Sequence, residues 1–313
     1  MRRPRVLPVV LLVVPAWLAA CGASSPSPVE PSTAGSSLEA DWARWRAERR
    51  ESLAGPDGWL SLVALGWLDG PSTTVGSEPT AQVVLPADHA PPRIGRIERR
   101  EGAAWLVPEP GVALTCDGAP IPGALALTPD DPGPPTVVEL GPLRMHVIAR
   151  AGRLGLRVKD RESPGRLHFG DLAVFPYDPG LRVASRFEPA AEGATLPIVN
   201  VLGQQVDEPL AGRLHFTVGG RALSLLATWA GATPADGLSV MLRDTTSDEG
   251  ATYGGGRYLE VAAPDADGAT WVDFNRAYTP PCGFTDFATC PLPPPDNELP
   301  VAITAGERAP DGH

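Results

Sequence analysis

Apolar positions follow three successive regimes along this chain. Val6 to Ala20 is almost continuously apolar, broken by Pro8 and Pro15 and preceded by Arg2, Arg3 and Arg5. It is too short and too interrupted for a stable membrane span, and it reads as a signal peptide over residues 1–20. Residues 22–37, GASSPSPVEPSTAGSS, offer no core-forming side chain except Val29. They cannot offset the entropy of ordering, so 21–37 reads as a tether. Next, Leu38, Trp42, Trp45 and Leu53 recur near a helical stripe, with Ser36 and Glu39 at capping-box spacing and Gly55 ending the run. One helix is predicted there, and its aromatic stripe either packs on the body of the protein or forms a docking surface.

From residue 56 onward there is no second long amphipathic pattern. Short apolar runs alternate with Gly, Pro and Asp, the signature of a β protein. Predicted strands include 81–85, 103–107, 136–140, 144–149 and 154–159. Runs 212–218 and 221–228 flank Gly219-Gly220, a two-residue turn that closes a hairpin through positive φ angles. Asp265-Ala266-Asp267-Gly268 is read as a turn joining 257–262 to 270–274 in a second hairpin, its carboxylates shaping the turn and not binding calcium. The fold expected is mainly β: a short N-terminal helix followed by two antiparallel β units of sandwich or barrel type. The helix and lead-in occupy 38–70, the first β unit 71–165 and the second 166–308, with a Pro-rich tail.

Composition changes this picture in two ways. The leader ends in Leu18-Ala19-Ala20-Cys21, which resembles a lipobox, in which Cys21 is diacylated and becomes the mature N-terminus. The chain is therefore expected in the bacterial cell envelope, extracytoplasmic and attached to the membrane through lipid. Three of its 26 basic residues leave with the leader, so 23 face 37 acids and the formal charge becomes −14. Nucleic acid and anionic headgroups are excluded as partners for want of a basic footprint. Lys159 is the single lysine, which removes most lysine-based mechanisms.

Two resemblances follow from longer motifs. TVGSEPTAQVVLP, CDGAPIPGALAL and VVELGPLRMHVI, over roughly residues 70–150, are similar in order to forkhead-associated sandwiches. Ser77 stands where that family has an arginine, and its Ser-x-x-His signature is absent, so architecture is implied but no phosphothreonine-binding residue. TYGGGRYLE, DFNRAYTPPCGFTDFATCPLPPPDNELP and ITAGER, with PDGWLSLVALGWL and GLRVKDRESP upstream, resemble domain of unknown function 1684 across nearly the whole mature chain. That resemblance implies no substrate and no catalytic residue.

Chemistry must come from the residues themselves. Gly254-Gly255-Gly256 precedes a strand, not a helix, and reads as a tight turn in preference to a phosphate loop. Beyond it, Tyr253, Arg257, Tyr258, Asp273, Asn275, Arg276 and Tyr278 fall within two predicted strands and their exits. Three readings stay open: an internal network pinning the tail to the sheet, a site for an anionic or sugar-like ligand, and a catalytic site. Cys282 and Cys290 lie close together in a Pro-crowded loop and read as a disulfide in an oxidising envelope, worth about 2 kcal/mol. A redox-active pair needs Cys-x-x-Cys spacing or an activating neighbour, and neither is visible in the sequence. Cys116 is left as a buried free thiol. The five histidines lack metal spacing, and no metal or cofactor is expected. Hydrolase motifs are absent, although a Ser-His-Asp triad using His146, His168 or His215 could assemble from distant segments.

The leading functional expectation is a lipid-anchored envelope protein binding a small molecule or an envelope protein partner through 252–278. The alternatives are an envelope hydrolase and a structural or assembly lipoprotein. The structural alternative expects Arg257 and Arg276 to be matched by internal carboxylates and carbonyls.

Overall fold

A computed structural model describes residues 33–310. The expected leader and Cys21 lie outside the described residues. The helix runs Thr33–Ala54, so Ser36 and Glu39 lie inside it and not at its start. It stops where Gly55 meets Pro56, because the residue before a proline is disfavoured in the α region. A Cβ on Gly58 would lie 2.4 Å from the Leu53 carbonyl, so the chain leaves the helix by a path only glycine allows. Leu53 is fully buried, and the Trp42 indole N–H donates to the Asn275 carbonyl at 2.8 Å, so packing accounts for these two members of the stripe. Among the described residues no helix is long and apolar enough to cross a membrane.

Two sheets enclose the first core, antiparallel except where Val83–Val84 runs parallel to Ser72–Gly76. One places Leu62–Trp67, Arg153–Asp160, Leu143–Arg150, Val138–Leu140, Thr115–Cys116 and Ala119–Pro120 side by side. The other contains Val83–Val84, Ser72–Gly76, Gly95–Arg100, Ala103–Pro108 and Leu125–Leu127. Ile94, Ile97, Leu106, Leu143, Val147 and Val158 interdigitate between them. Strand Leu62–Trp67, read as lead-in, belongs to this layer, and Ala64 and Leu68 belong to its core. Cys116 is not buried: it ends a two-residue strand between Val138–Leu140 and Ala119–Pro120, half-exposed beside Asp117. Partial burial, followed by the Asp117 charge, raises its thiol pKa.

The second core lies against a curled sheet ordered Arg257–Val261, Leu238–Asp244, Arg221–Trp229, Gln205–Val218, Arg182–Pro189, Ala269–Asp273. The Gly219-Gly220 hairpin forms in the expected register, Val218 opposite Arg221. The second expected hairpin does not. Asp265 closes a local turn, accepting from the N–H groups of Asp267 at 3.0 Å and Ala269 at 2.8 Å. The strands on either side of it then pair with different neighbours, at opposite edges of the sheet. Turn chemistry specified the reversal but not the partners, which the apolar faces and the curl selected.

His146 pairs across the ladder with Arg157. Burial first, then the charges of Arg157 and Lys159, lower its pKa from 6.5 to about 4. The unfolded chain binds the proton more readily, so this contribution is complete above pH 6.5 and is lost as pH falls toward 4. Urea unfolding should show a loss of up to about 3 kcal/mol over that window. His146→Asn should flatten the slope; an unchanged slope would place its origin elsewhere.

Candidate functional site

The helix carries Trp45, Glu48, Arg49 and Ser52 at spacings of three and four, which put them on one face. That face forms one wall of a cleft of about 510 Å³, closed by Trp59, Tyr258, Tyr278 and Pro281. Its volume falls within the range of small-molecule sites, about 300–1,000 Å³. Trp59 sits on the 3₁₀ turn Trp59–Ser61 just after the helix. Tyr258 and Tyr278 are locked to each other by reciprocal backbone N–H···O bonds of 2.8 Å each, and their rings meet edge to face at 5.8 Å. The bridge thus fixes two aromatic walls without a full ladder.

The polar atoms behind these walls are held in place. The Tyr258 hydroxyl donates to the Pro291 carbonyl at 2.6 Å, and that of Tyr278 to Glu260 at 3.3 Å. Burial raises both phenol pKa values, so both stay protonated at neutral pH and act as donors, not bases. Arg49 stacks 4.7 Å from the Tyr278 ring centre. It donates to Glu307 at 3.1 Å and to the Thr279 carbonyl at 2.8 Å. Glu307 is fully buried and also accepts the Thr279 N–H at 2.8 Å. Burial raises the pKa of its carboxyl, opposed by the Arg49 charge and the Thr279 N–H. This arrangement offers aromatic faces with a mixed polar rim. No lining residue is a histidine, so a serine-histidine relay has no base within this cleft.

Of the seven residues singled out from the sequence, Tyr258 and Tyr278 line the cleft. Tyr253 stands nearby, its hydroxyl donating to the Cys282 carbonyl at 3.2 Å. Arg257 has no solvent exposure: it pairs with Asp244 at 2.5 Å and donates to the carbonyls of Ala305 and Ile303, pinning the tail. Asn275 is buried, its amide donating to the Asp178 carbonyl and accepting the Asp178 N–H, both at 2.8 Å. Asp273 caps the turn that Asn275 occupies, accepting its N–H at 3.1 Å. Arg276 is partly exposed, its Nε lying 3.8 Å from Asp273 in an ion pair without a hydrogen bond. Cys282 and Cys290 are free thiols, and no bond joins them here. Hydrogen bonding of the Cys282 N–H to the Cys290 sulfur, at 3.1 Å, occupies the contact where a disulfide was expected.

The sequence reading missed Arg49 and Trp59 and left Trp45 undecided. The available signal was the helical spacing from Trp45 to Ser52, together with the turn that returns Trp59 to the same face.

A family model described as a protein of unknown function, DUF1684, matches residues 167–308, which is the C-terminal part and not the nearly complete span expected. An uncharacterised protein of Haloarcula marismortui, solved by solution NMR, is 34% identical, covering 47% of this chain and 81% of that one, with a TM-score of 0.39. A structure from work on phosphothreonine-dependent FHA domain interactions is 20% identical, covering 31% of this chain and 95% of that one, with a TM-score of 0.20. No curated protein matches the chain.

Proposed function

The chain belongs to the DUF1684 family of proteins of unknown function, and from that premise we propose that it is a lipid-anchored envelope protein binding a small sugar-like ligand. The observation that carries the reading is the convergence of Trp45, Trp59, Tyr258 and Tyr278 on one cleft. Aromatic faces bury the apolar face of a ring, while Glu48, Arg49 and Ser52 offer acceptors and donors at the rim. Arg257 contributes nothing to an anion, because its charge is neutralised by Asp244, so a neutral ligand fits better than an anionic one. Anchoring rests on the Leu18-Ala19-Ala20-Cys21 motif, and the envelope would also permit a bond between Cys282 and Cys290. A second reading, a structural lipoprotein, is favoured by the internal pairing of Arg257 and Asn275.

The test is a thermal-shift panel of neutral saccharides and cell-wall glycan fragments alongside carboxylates and nucleotides. A ligand at about 100 times its Kd should stabilise the protein by about 2.7 kcal/mol, and it should alter tryptophan emission. Trp45→Ala should abolish the shift while leaving the unliganded Tm nearly unchanged. If no saccharide shifts the Tm, the sugar reading fails; a response to carboxylates alone would redirect it to anions. Cys21→Ser should move the protein from the membrane to the soluble fraction if the lipid is its anchor.

A further inference from the structure

The loop after Tyr278 brings two thiols together in unequal surroundings. Cys282 is the middle residue of the short turn Pro281–Gly283 and is half-buried, whereas Cys290 is buried at 6% exposure. The Cys282 N–H donates to the Cys290 sulfur at 3.1 Å, and the Tyr253 hydroxyl reaches the same turn, donating to the Cys282 carbonyl. Opposite them, Arg157 projects from strand Arg153–Asp160 with only 4% exposure, and its Nε and Nη2 have no hydrogen-bond partner. Its guanidinium lies 5.3 Å over the Trp59 ring, and its charge acts on Cys290. Leaving Nε and Nη2 buried without an acceptor is costly, and negative charge on the Cys290 sulfur relieves part of that cost.

We propose that Cys282 and Cys290 form a thiol–disulfide exchange pair, with Cys282 the attacking sulfur and Cys290 the resolving one. The activating neighbours that the sequence does not reveal are supplied by the fold. The hydrogen bond from the Cys290 thiol, opposed by burial and aided by Tyr253 and the backbone N–H groups of Cys282 and Gly283, lowers the Cys282 pKa to about 7. The same interaction and burial raise that of Cys290. A half-accessible thiolate beside a buried resolving thiol is the arrangement of redox-sensing cysteines.

The co-reactant is a small-molecule or protein disulfide. The Cys282 thiolate attacks one of its sulfurs, that S–S bond breaks, and a mixed disulfide forms as the first external thiolate leaves. The Cys290 thiol, losing its proton to solvent, then attacks the Cys282 sulfur and expels the second external thiolate. The protein pair loses two electrons and the external disulfide gains them. The two protons released from the pair end on the two departing thiols. This activity does not depend on what occupies the cleft.

The full chain in detergent, reduced and freed of reductant, tests the proposal by peptide mass spectrometry, which separates this loop from Cys21 and Cys116. Iodoacetamide should label Cys282 with a midpoint near pH 7 and leave Cys290 largely unlabelled. An aromatic disulfide probe should convert the wild-type pair to the internal disulfide with no adduct retained. Cys290→Ser should instead accumulate the mixed disulfide at Cys282. Reduced glutathione should reopen the oxidised pair. A labelling midpoint near the ordinary thiol value of about 8.5 would overturn the proposal. So would absence of the adduct in Cys290→Ser, or an internal bond that glutathione cannot reopen, which would make the pair an inert staple.

Discussion

Arg257→Met should cost about 3–5 kcal/mol of folding stability, the range for removing one partner of a buried ion pair. Arg257 and Asp244 are both without exposure, and the substitution strands the Asp244 carboxylate where water cannot reach it. Asp244 keeps the Thr246 N–H at 2.8 Å and loses the Arg257 cation. The tail carbonyls of Ile303 and Ala305 lose their shared donor at the same time. The measurement is the urea midpoint, and the control is Asp244→Asn combined with Arg257→Met, which should recover part of the loss because no charge is then stranded. A single-variant loss under about 1 kcal/mol would mean that water reaches the pair and that the tail is held by other contacts. The same variant reports on the cleft, since the released segment carries Glu307, the partner of Arg49.

Arg49→Met should cost about 3 kcal/mol at neutral pH by leaving Glu307 charged and buried. Arg49 is 13% exposed and Glu307 1%, so solvent screens the pair little. The pH dependence separates this cause from lost packing. Burial holds the Glu307 pKa above its unfolded value, so the native state takes up its proton first as pH falls. A charge penalty on folding is therefore full above the folded pKa and disappears below the unfolded one. The difference between variant and wild type should shrink as pH falls through the Glu307 titration. A gap that stays constant would assign the loss to the missing stack on Tyr278 and not to charge. Tryptophan emission from Trp45 and Trp59 offers a parallel readout of whether the cleft wall has moved.

Local patterns decided much of what was legible. The helix stripe ending at Gly55, the Gly219-Gly220 reversal and the turn role of Asp265 follow from backbone preferences of a few adjacent residues. The site was only half legible. Tyr258 and Tyr278 were identified as chemistry-bearing residues, but their place beside Trp45, Arg49 and Trp59 depends on docking a helix more than two hundred residues away in the chain. Arg257 looked like a ligand donor for a comparable reason: a guanidinium in a strand has the same sequence signature whether it faces solvent or a buried aspartate.

By itself, the sequence determined that this chain is mainly β with one leading helix. Periodicity, turn residues and composition act over a few residues and need no partner to be recognised. Only the tertiary structure decided which strands pair across the curl, where the charges of Arg257 and Glu307 are neutralised, and why Cys282 differs from Cys290. Each of those outcomes rests on burial and on distances between remote segments, which set the cost of a charge, the acidity of a thiol and the shape of a cleft.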